Sequence, residues 1–154
     1  MREEIYMITR AQATEAILEA KKRKELSFAT IAEAVGRSKE WTTAALLGQE
    51  TMSAEEADAV IQLLELESAV SQALQEIPMR GSLDREVPVD PVIYRLYEIV
   101  QVYGTTIKAL IHESFGDGIM SAIDFEMDIQ RKEDPKGDRV VITLDGKFLP
   151  YRKW

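Results

Sequence analysis

Three residues able to hold and polarise a small anion stand within one tract of the chain: Arg95 and Glu98 in "IYRLYEIVQVYG" (93–104) and Ser121 in "FGDGIMSAI" (115–123). A guanidinium is charged at every physiological pH and presents its donors in a planar fork that fits a carboxylate-like or linear anion. Arg95 and Glu98 are three residues apart, which places them side by side on a helix, where the carboxylate can orient the fork. Gly116 and Gly118 around Asp117 would let backbone amides come close to a ligand, and Ser121 adds a hydroxyl. The plainer alternative is an interface salt bridge between Arg95 and Glu98, with glycines that merely end a helix and a structural serine.

The helix that must carry the pair is unusual in its patterning. At 100° per residue, Ile93, Leu96, Tyr97, Val100 and Tyr103 form one apolar face, while Ile99 and Val102 lie beside Arg95 and Glu98 on the other. A helix apolar on both faces but too short for a bilayer is expected to be buried on both, so the second face should meet another chain. Taking an ion pair out of water costs several kcal/mol per ion before attraction repays any of it, so stability alone is a poor reason for the pair to be there.

Composition removes most other chemistry. Cysteine is absent, which excludes disulfides, thiolate metal sites and cysteine nucleophiles, and His112 is the only histidine. On "TIKALIHES" His112 points away from the Ile107, Leu110 and Ile111 stripe toward Lys108, as a surface histidine would. Tyr94, Tyr97 and Tyr103 read as packing residues. The formal net charge of -8 opposes general binding to nucleic acid or anionic membranes. No apolar run approaches the roughly 20 residues of a membrane span, and "MREEIYMITRAQATEA" lacks the apolar region of a signal peptide, so a cytoplasmic protein is expected.

Residues 1–80 read as about five short helices with short connections. Thr9, Ser27, Ser38 and Ser53 suit helix starts, Gly36 and Gly48 suit ends, and Ser53 with Glu56 has capping-box spacing. The stretch "LSFATIAEAVGRSKEWTTAALLGQE" resembles the helix-turn-helix of phage-repressor-like domains. Its second helix, however, offers Lys39, Glu40, Trp41, Thr42 and Thr43 where a DNA reader needs basic and amide side chains. Residues 25–80 hold Arg37, Lys39 and Arg80 against ten carboxylates. A DNA-binding role is therefore not expected, and the basic run Lys21–Lys24 suits the last turn of a helix.

A second domain, 81–154, begins in the Gly/Pro-containing "PMRGSLDREVPVDP". Asp90 can cap a helix with Pro91 at its first position, and Gly104 suits its end. "DFEMDIQ" and "RVVITL" alternate with period two around a "DPKGD" turn, and Asp145-Gly146 reads as a second turn leading to "KFLP". The fold class is α+β, mainly α, with short antiparallel strands too few to stand alone, which implies pairing with another subunit.

Three stretches, "ALLGQ", "DPVIYRLYEIVQVYGTTIKALIHESFGDGIMSAIDFEMDI" and "VITLDGKFLP", carry a close resemblance to cyanase, the cyanate hydratase or cyanate lyase family, over roughly residues 10–150. The resemblance implies that Arg95, Glu98 and Ser121 are the catalytic residues. It implies a five-helix repressor-like N-terminal domain that does not bind DNA, and a C-terminal domain that interlocks with a partner's into a dimer. Five such dimers would form a homodecamer with active sites at subunit interfaces. The implied reaction is bicarbonate-dependent breakdown of cyanate to ammonia and carbon dioxide through a carboxy-carbamate adduct, serving cyanate detoxification and nitrogen supply, with no metal or organic cofactor. The chain departs from the family in "MRGSLD", where many members carry cysteine at the position of Ser82; altered packing or thiol sensitivity follows, rather than lost activity. The competing reading is a repressor-like regulator whose C-terminal domain senses an anion, and a third is a non-catalytic ring scaffold.

Overall fold

The computed structural model describes residues 6–154, so the first five residues of the stretch read for a leader lie outside the described residues. The chain forms two compact units, Met1–Ser82 and Leu83–Trp154. The first unit contains α1 (Arg10–Arg23), α2 (Phe28–Val35), α3 (Lys39–Leu46), α4 (Ala54–Leu64) and α5 (Ser68–Gln75).

Local chemistry sets the ends of these helices. Thr9 and Gln12 close a capping box at α1, and Ser53 and Glu56 close another at α4. Ser27 accepts from the Thr30 amide and Ser38 from the Trp41 amide, each satisfying a donor that the helix itself leaves unpaired. Gly36 ends α2 in the left-handed region at φ 82°. Ala13, Ile17 and Ala20 of α1 meet Ile31, Leu46, Val60, Leu64, Val70 and Leu74 in one buried core, the alanines allowing close approach of the helix axes. Arg10 ties C-terminal carbonyls together: its guanidinium donates to the carbonyls of Glu76 at 2.8 Å, Ala45 at 3.3 Å and Glu50.

The second unit contains α6 (Pro91–Phe115) and a two-stranded antiparallel sheet of β1 (Gly118–Lys132) and β2 (Arg139–Pro150). Asp90 Oδ1 accepts from the amides of Val92 at 2.9 Å and Ile93 at 3.1 Å, with Pro91 in the first turn. Three expectations need correction. The helix does not end at Gly104 but continues to Phe115, because the apolar periodicity resumes in "TTIKALIHESF" and an isolated glycine costs a helix only about 1 kcal/mol. The strands are long, not short: β1 covers 15 residues, about 50 Å of extended chain. And Asp145-Gly146 makes no turn, because Asp145 pairs with Glu126 and Gly146 with Phe125 inside the ladder. The reversal lies at the "DPKGD" segment, where the Gly137 amide donates to the Asp134 carbonyl.

The two units differ in what they bury. Over residues 83–154 the buried residues are Pro88, Gly118 and Ser121, and α6 has none. Val92, Leu96, Ile99, Val100, Val102, Ile107 and Leu110 along the helix, and Ile123, Val140 and Leu144 on the hairpin, all stand exposed.

Two measurements check the account of the first unit. Thr42 is fully buried on α3 and its Oγ1 has no hydrogen-bond partner among the described residues. A buried hydroxyl without a partner costs more than it contributes, so Thr42→Val, of nearly the same shape, should raise stability by about 1 kcal/mol in urea unfolding. At Glu56, burial raises the carboxyl's pKa, but hydrogen bonds from Arg37 and Ser53 and the Arg37 charge outweigh it, leaving the group below its ordinary value. A carboxyl lowered in the folded state stabilises above its unfolded value and loses that contribution as pH falls through the folded value. Glu56→Gln should thus melt a few degrees below the wild type at about pH 7, with the gap narrowing as pH falls below the ordinary carboxylate range.

Candidate active site

Arg95 and Glu98 lie in the second turn of α6, fixed in register by the Asp90 cap. Arg95 Nη1 approaches Glu98 Oε2 at 3.4 Å, a single long contact, and the guanidinium carbon stands 5.7 Å from the Tyr94 ring centroid. The side chains are 66% and 49% exposed within the chain, so this contact contributes little stability of its own. The remaining N–H donors of Arg95 have no partner among the described residues, which leaves most of a rigid cationic fork available to a ligand. Close by, Tyr97 Oη accepts from Gln101 Nε2 at 2.8 Å. His112 is half-buried and stands 3.0 Å from Lys108 Nζ, on the side the sequence suggested.

Ser121 sits in β1, not in a helix, and is 5% exposed. The ladder is regular from Gly118↔Pro150 to Met120↔Phe148 and again from Phe125↔Gly146 onward, with a register shift between. At this break Ser121 Oγ accepts from the amides of Ile123 at 3.0 Å and Asp124 at 2.9 Å. A hydroxyl has two acceptor lone pairs and one donor proton. Both acceptor positions are taken, so Ser121 retains only its proton to offer, polarised by two incoming N–H groups. This is the electronic state of an anion-binding donor and a poor one for a nucleophile. The amides that Ser121 accepts are backbone groups any residue supplies, so only the serine itself, a residue prone to such local turns, marked this place in the sequence.

Glycines near the break serve backbone packing. A Cβ on Gly118 would lie 2.4 Å from the Leu149 carbonyl oxygen and 2.5 Å from the Phe148 ring, so β2 occupies the space a side chain would need. Gly116, at φ 91°, turns the chain out of α6, and the Tyr151 amide donates to the Asp117 carbonyl at 3.0 Å. Phe115 packs against Phe148 with ring centroids 5.2 Å apart.

The structure brings Arg95 to Glu98 but does not bring either to Ser121. Five and a half helical turns, about 30 Å, separate Arg95 from the end of α6, and the partners of Ser121 are local. No group of three or more His, Asp or Glu side chains that could hold a metal occurs among the described residues.

Five short helices, four of them with side-chain caps, followed by a long helix and a hairpin that present a guanidinium with uncommitted donors and a donor hydroxyl define a two-unit α+β protein with groups suited to anions. Comparison with known proteins makes this specific. The model of the cyanate hydratase N-terminal domain matches residues 10–78, and that of the cyanate lyase C-terminal domain matches residues 85–153. A cyanate hydratase of Thiobacillus denitrificans is 61% identical over 147 residues, 96% of this chain and all of that protein. One from Cupriavidus necator is 56% identical over the same shares. The crystal structure of cyanase from T. urticae superimposes with a TM-score of 0.77 at 37% identity, covering 90% of this chain and 96% of that one. The chain belongs to the cyanate hydratase (cyanate lyase) family of enzymes.

Replacing Ser121 with alanine removes the acceptor for two amides at a buried position. Ser121→Ala should lose about 1–3 kcal/mol in urea unfolding, with faster hydrogen exchange at the Ile123 and Asp124 amides. Unchanged exchange would show that the hydroxyl does not hold the break.

Proposed function

We propose that the protein decomposes cyanate with bicarbonate as co-substrate, giving ammonia and carbon dioxide. The observation that carries this reading is a guanidinium with uncommitted donors at Arg95 in a chain that matches cyanate hydratases along nearly its whole length. The physical obstacle in such a reaction is that two anions must meet, so positive potential and donors matter more than a strong nucleophile. A bicarbonate oxygen attacks the cyanate carbon and the bicarbonate proton passes to the cyanate nitrogen, giving a dianionic carboxy-carbamate adduct. Cleavage of its carboxyl-side C–O bond releases carbon dioxide, and a proton taken up on nitrogen leaves carbamate. A second proton on nitrogen lets the C–N bond break to ammonia and a second carbon dioxide.

In this scheme Arg95 holds the anions and offsets the charge of the adduct, and Ser121 donates its one free proton to an adduct oxygen. Glu98 would repel both substrates if it faced them, so its role is to hold the rotamer of Arg95, with the proton needed at nitrogen as the alternative assignment. Because Arg95 and Ser121 do not meet within one chain and the second unit lacks a core, we infer that other subunits complete each site. A homodecamer built as a pentamer of interlocked dimers, with a repressor-like N-terminal domain that binds no DNA, fits these needs.

The test is ammonia release from cyanate by the purified protein, with bicarbonate present and with it stripped out. Release that requires bicarbonate is expected; a folded oligomer inactive in both would overturn the reading. Arg95→Lys, which keeps the charge but loses the fork, should lower kcat/KM by roughly 100-fold or more. Glu98→Gln should retain substantial activity if the residue only orients Arg95, whereas collapse as deep as that of Glu98→Ala would assign it to charge or proton transfer.

A further inference from the structure

The break in the hairpin places four residues of β1, Ser121 to Asp124, opposite a single residue of β2, Lys147. Three surplus residues must leave the ladder somewhere, and a two-stranded sheet by itself offers many places to do so, since sliding a break by two residues keeps the alternation of faces. Something must pin it at Ser121.

The contacts of Gly146 supply the pin. A Cβ there would lie 2.4 Å from the Ser121 carbonyl oxygen, 2.5 Å from Met120 Cγ and 3.2 Å from Met120 Sδ. The β2 backbone at Gly146 therefore lies directly against the Ser121 backbone, in space that no other residue leaves open. Gly146 is not among the glycines with positive φ, so any L-residue could adopt its backbone conformation. What the position requires is the absence of a side chain, not glycine's conformational freedom.

We propose that Gly146 is a positioning residue for Ser121. Its missing side chain lets the Ser121 carbonyl seat against β2, which holds the break in place. The Ile123 and Asp124 amides then fill both lone pairs of Ser121 Oγ, leaving its proton as the sole polar function to present to an anion. Any side chain at 146 displaces Ser121, frees one or both amides and turns a committed donor into an ordinary hydroxyl. This proposal rests on the reading that Ser121 donates to the bound anions of the cyanate reaction.

The experiment is a double-mutant cycle on the full-length oligomer with Gly146→Ala and Ser121→Ala, reading kcat and KM for cyanate and bicarbonate. Gly146→Ala alone should lower kcat/KM at least about 10-fold, and in the Ser121→Ala background it should change it less than about 2-fold, because the group through which it acts is already gone. Hydrogen exchange at the Ile123 and Asp124 amides should quicken in Gly146→Ala. A Gly146→Ala enzyme with wild-type kinetics, or one that loses the same factor in both backgrounds, overturns the proposal. If the single variant does not assemble, Met120→Ala/Gly146→Ala, relieved of the Met120 contact but not of the Ser121 carbonyl, is compared with Met120→Ala and carries the same test. A wild-type protein without bicarbonate-dependent activity would instead overturn the cyanate reading, and the exchange measurement would still decide whether Gly146 holds the break.

Discussion

A 25-residue helix with no buried side chain is the constraint on which the rest of the second unit depends. Burial of apolar surface is the main favourable term in folding, and each Val, Leu or Ile brought out of water contributes roughly 1.5–3 kcal/mol. Along α6 and the hairpin most of those side chains are exposed, Ile123 by 98%, and the unit's buried residues are a proline, a glycine and a serine. Such a unit cannot be held by its own contacts, and a two-stranded sheet adds little. Covering α6 is therefore a condition of stability, and because Arg95 and Glu98 ride on that helix, whatever covers it also sets their surroundings.

The first unit stands in contrast. Four of its five helices are started by side-chain caps a few residues away, and its core of alanines, leucines and branched residues closes within the unit. The candidate site residues lie elsewhere, on the unit that cannot satisfy its own apolar surface. Within that unit polar satisfaction is uneven in an informative way. Ser121 is buried with both acceptor positions filled, whereas Arg95 is exposed with most donors unfilled. A dedicated donor and an uncommitted cation are the two elements that a reaction between like charges needs most. Their supply matters more in a chain whose formal charge is -8, since its overall potential repels such substrates.

Legibility in the sequence followed the range of each interaction. The caps at Thr9, Ser27, Ser38, Ser53 and Asp90 act over two or three residues and could be read directly. So could the adjacency of Arg95 and Glu98 and the side of the helix taken by His112, since both follow from helical geometry. Ser121 could be nominated through the resemblance to the cyanate hydratases, but its setting could not be read. Whether it lies on a helix or at a strand break depends on β2, more than twenty residues downstream, and on which residue there lacks a side chain. The misreadings of Gly104 and Gly146 share that cause: glycine is a punctuation signal only where neighbouring structure does not claim it. One is absorbed by a long helix, and the other is enclosed in a ladder whose register is set at the far "DPKGD" turn.

The most direct measurement of whether sites are completed between subunits is to mix two impaired chains, Arg95→Ala and Ser121→Ala, by co-expression or by unfolding and refolding them together. If a site takes Arg95 from one chain and Ser121 from another, some sites in the mixed oligomer contain both wild-type residues, and cyanate decomposition returns to a measurable fraction of the wild-type rate. Mixed oligomers that form fully yet are no more active than the better parent would contradict shared sites and confine the chemistry to single chains.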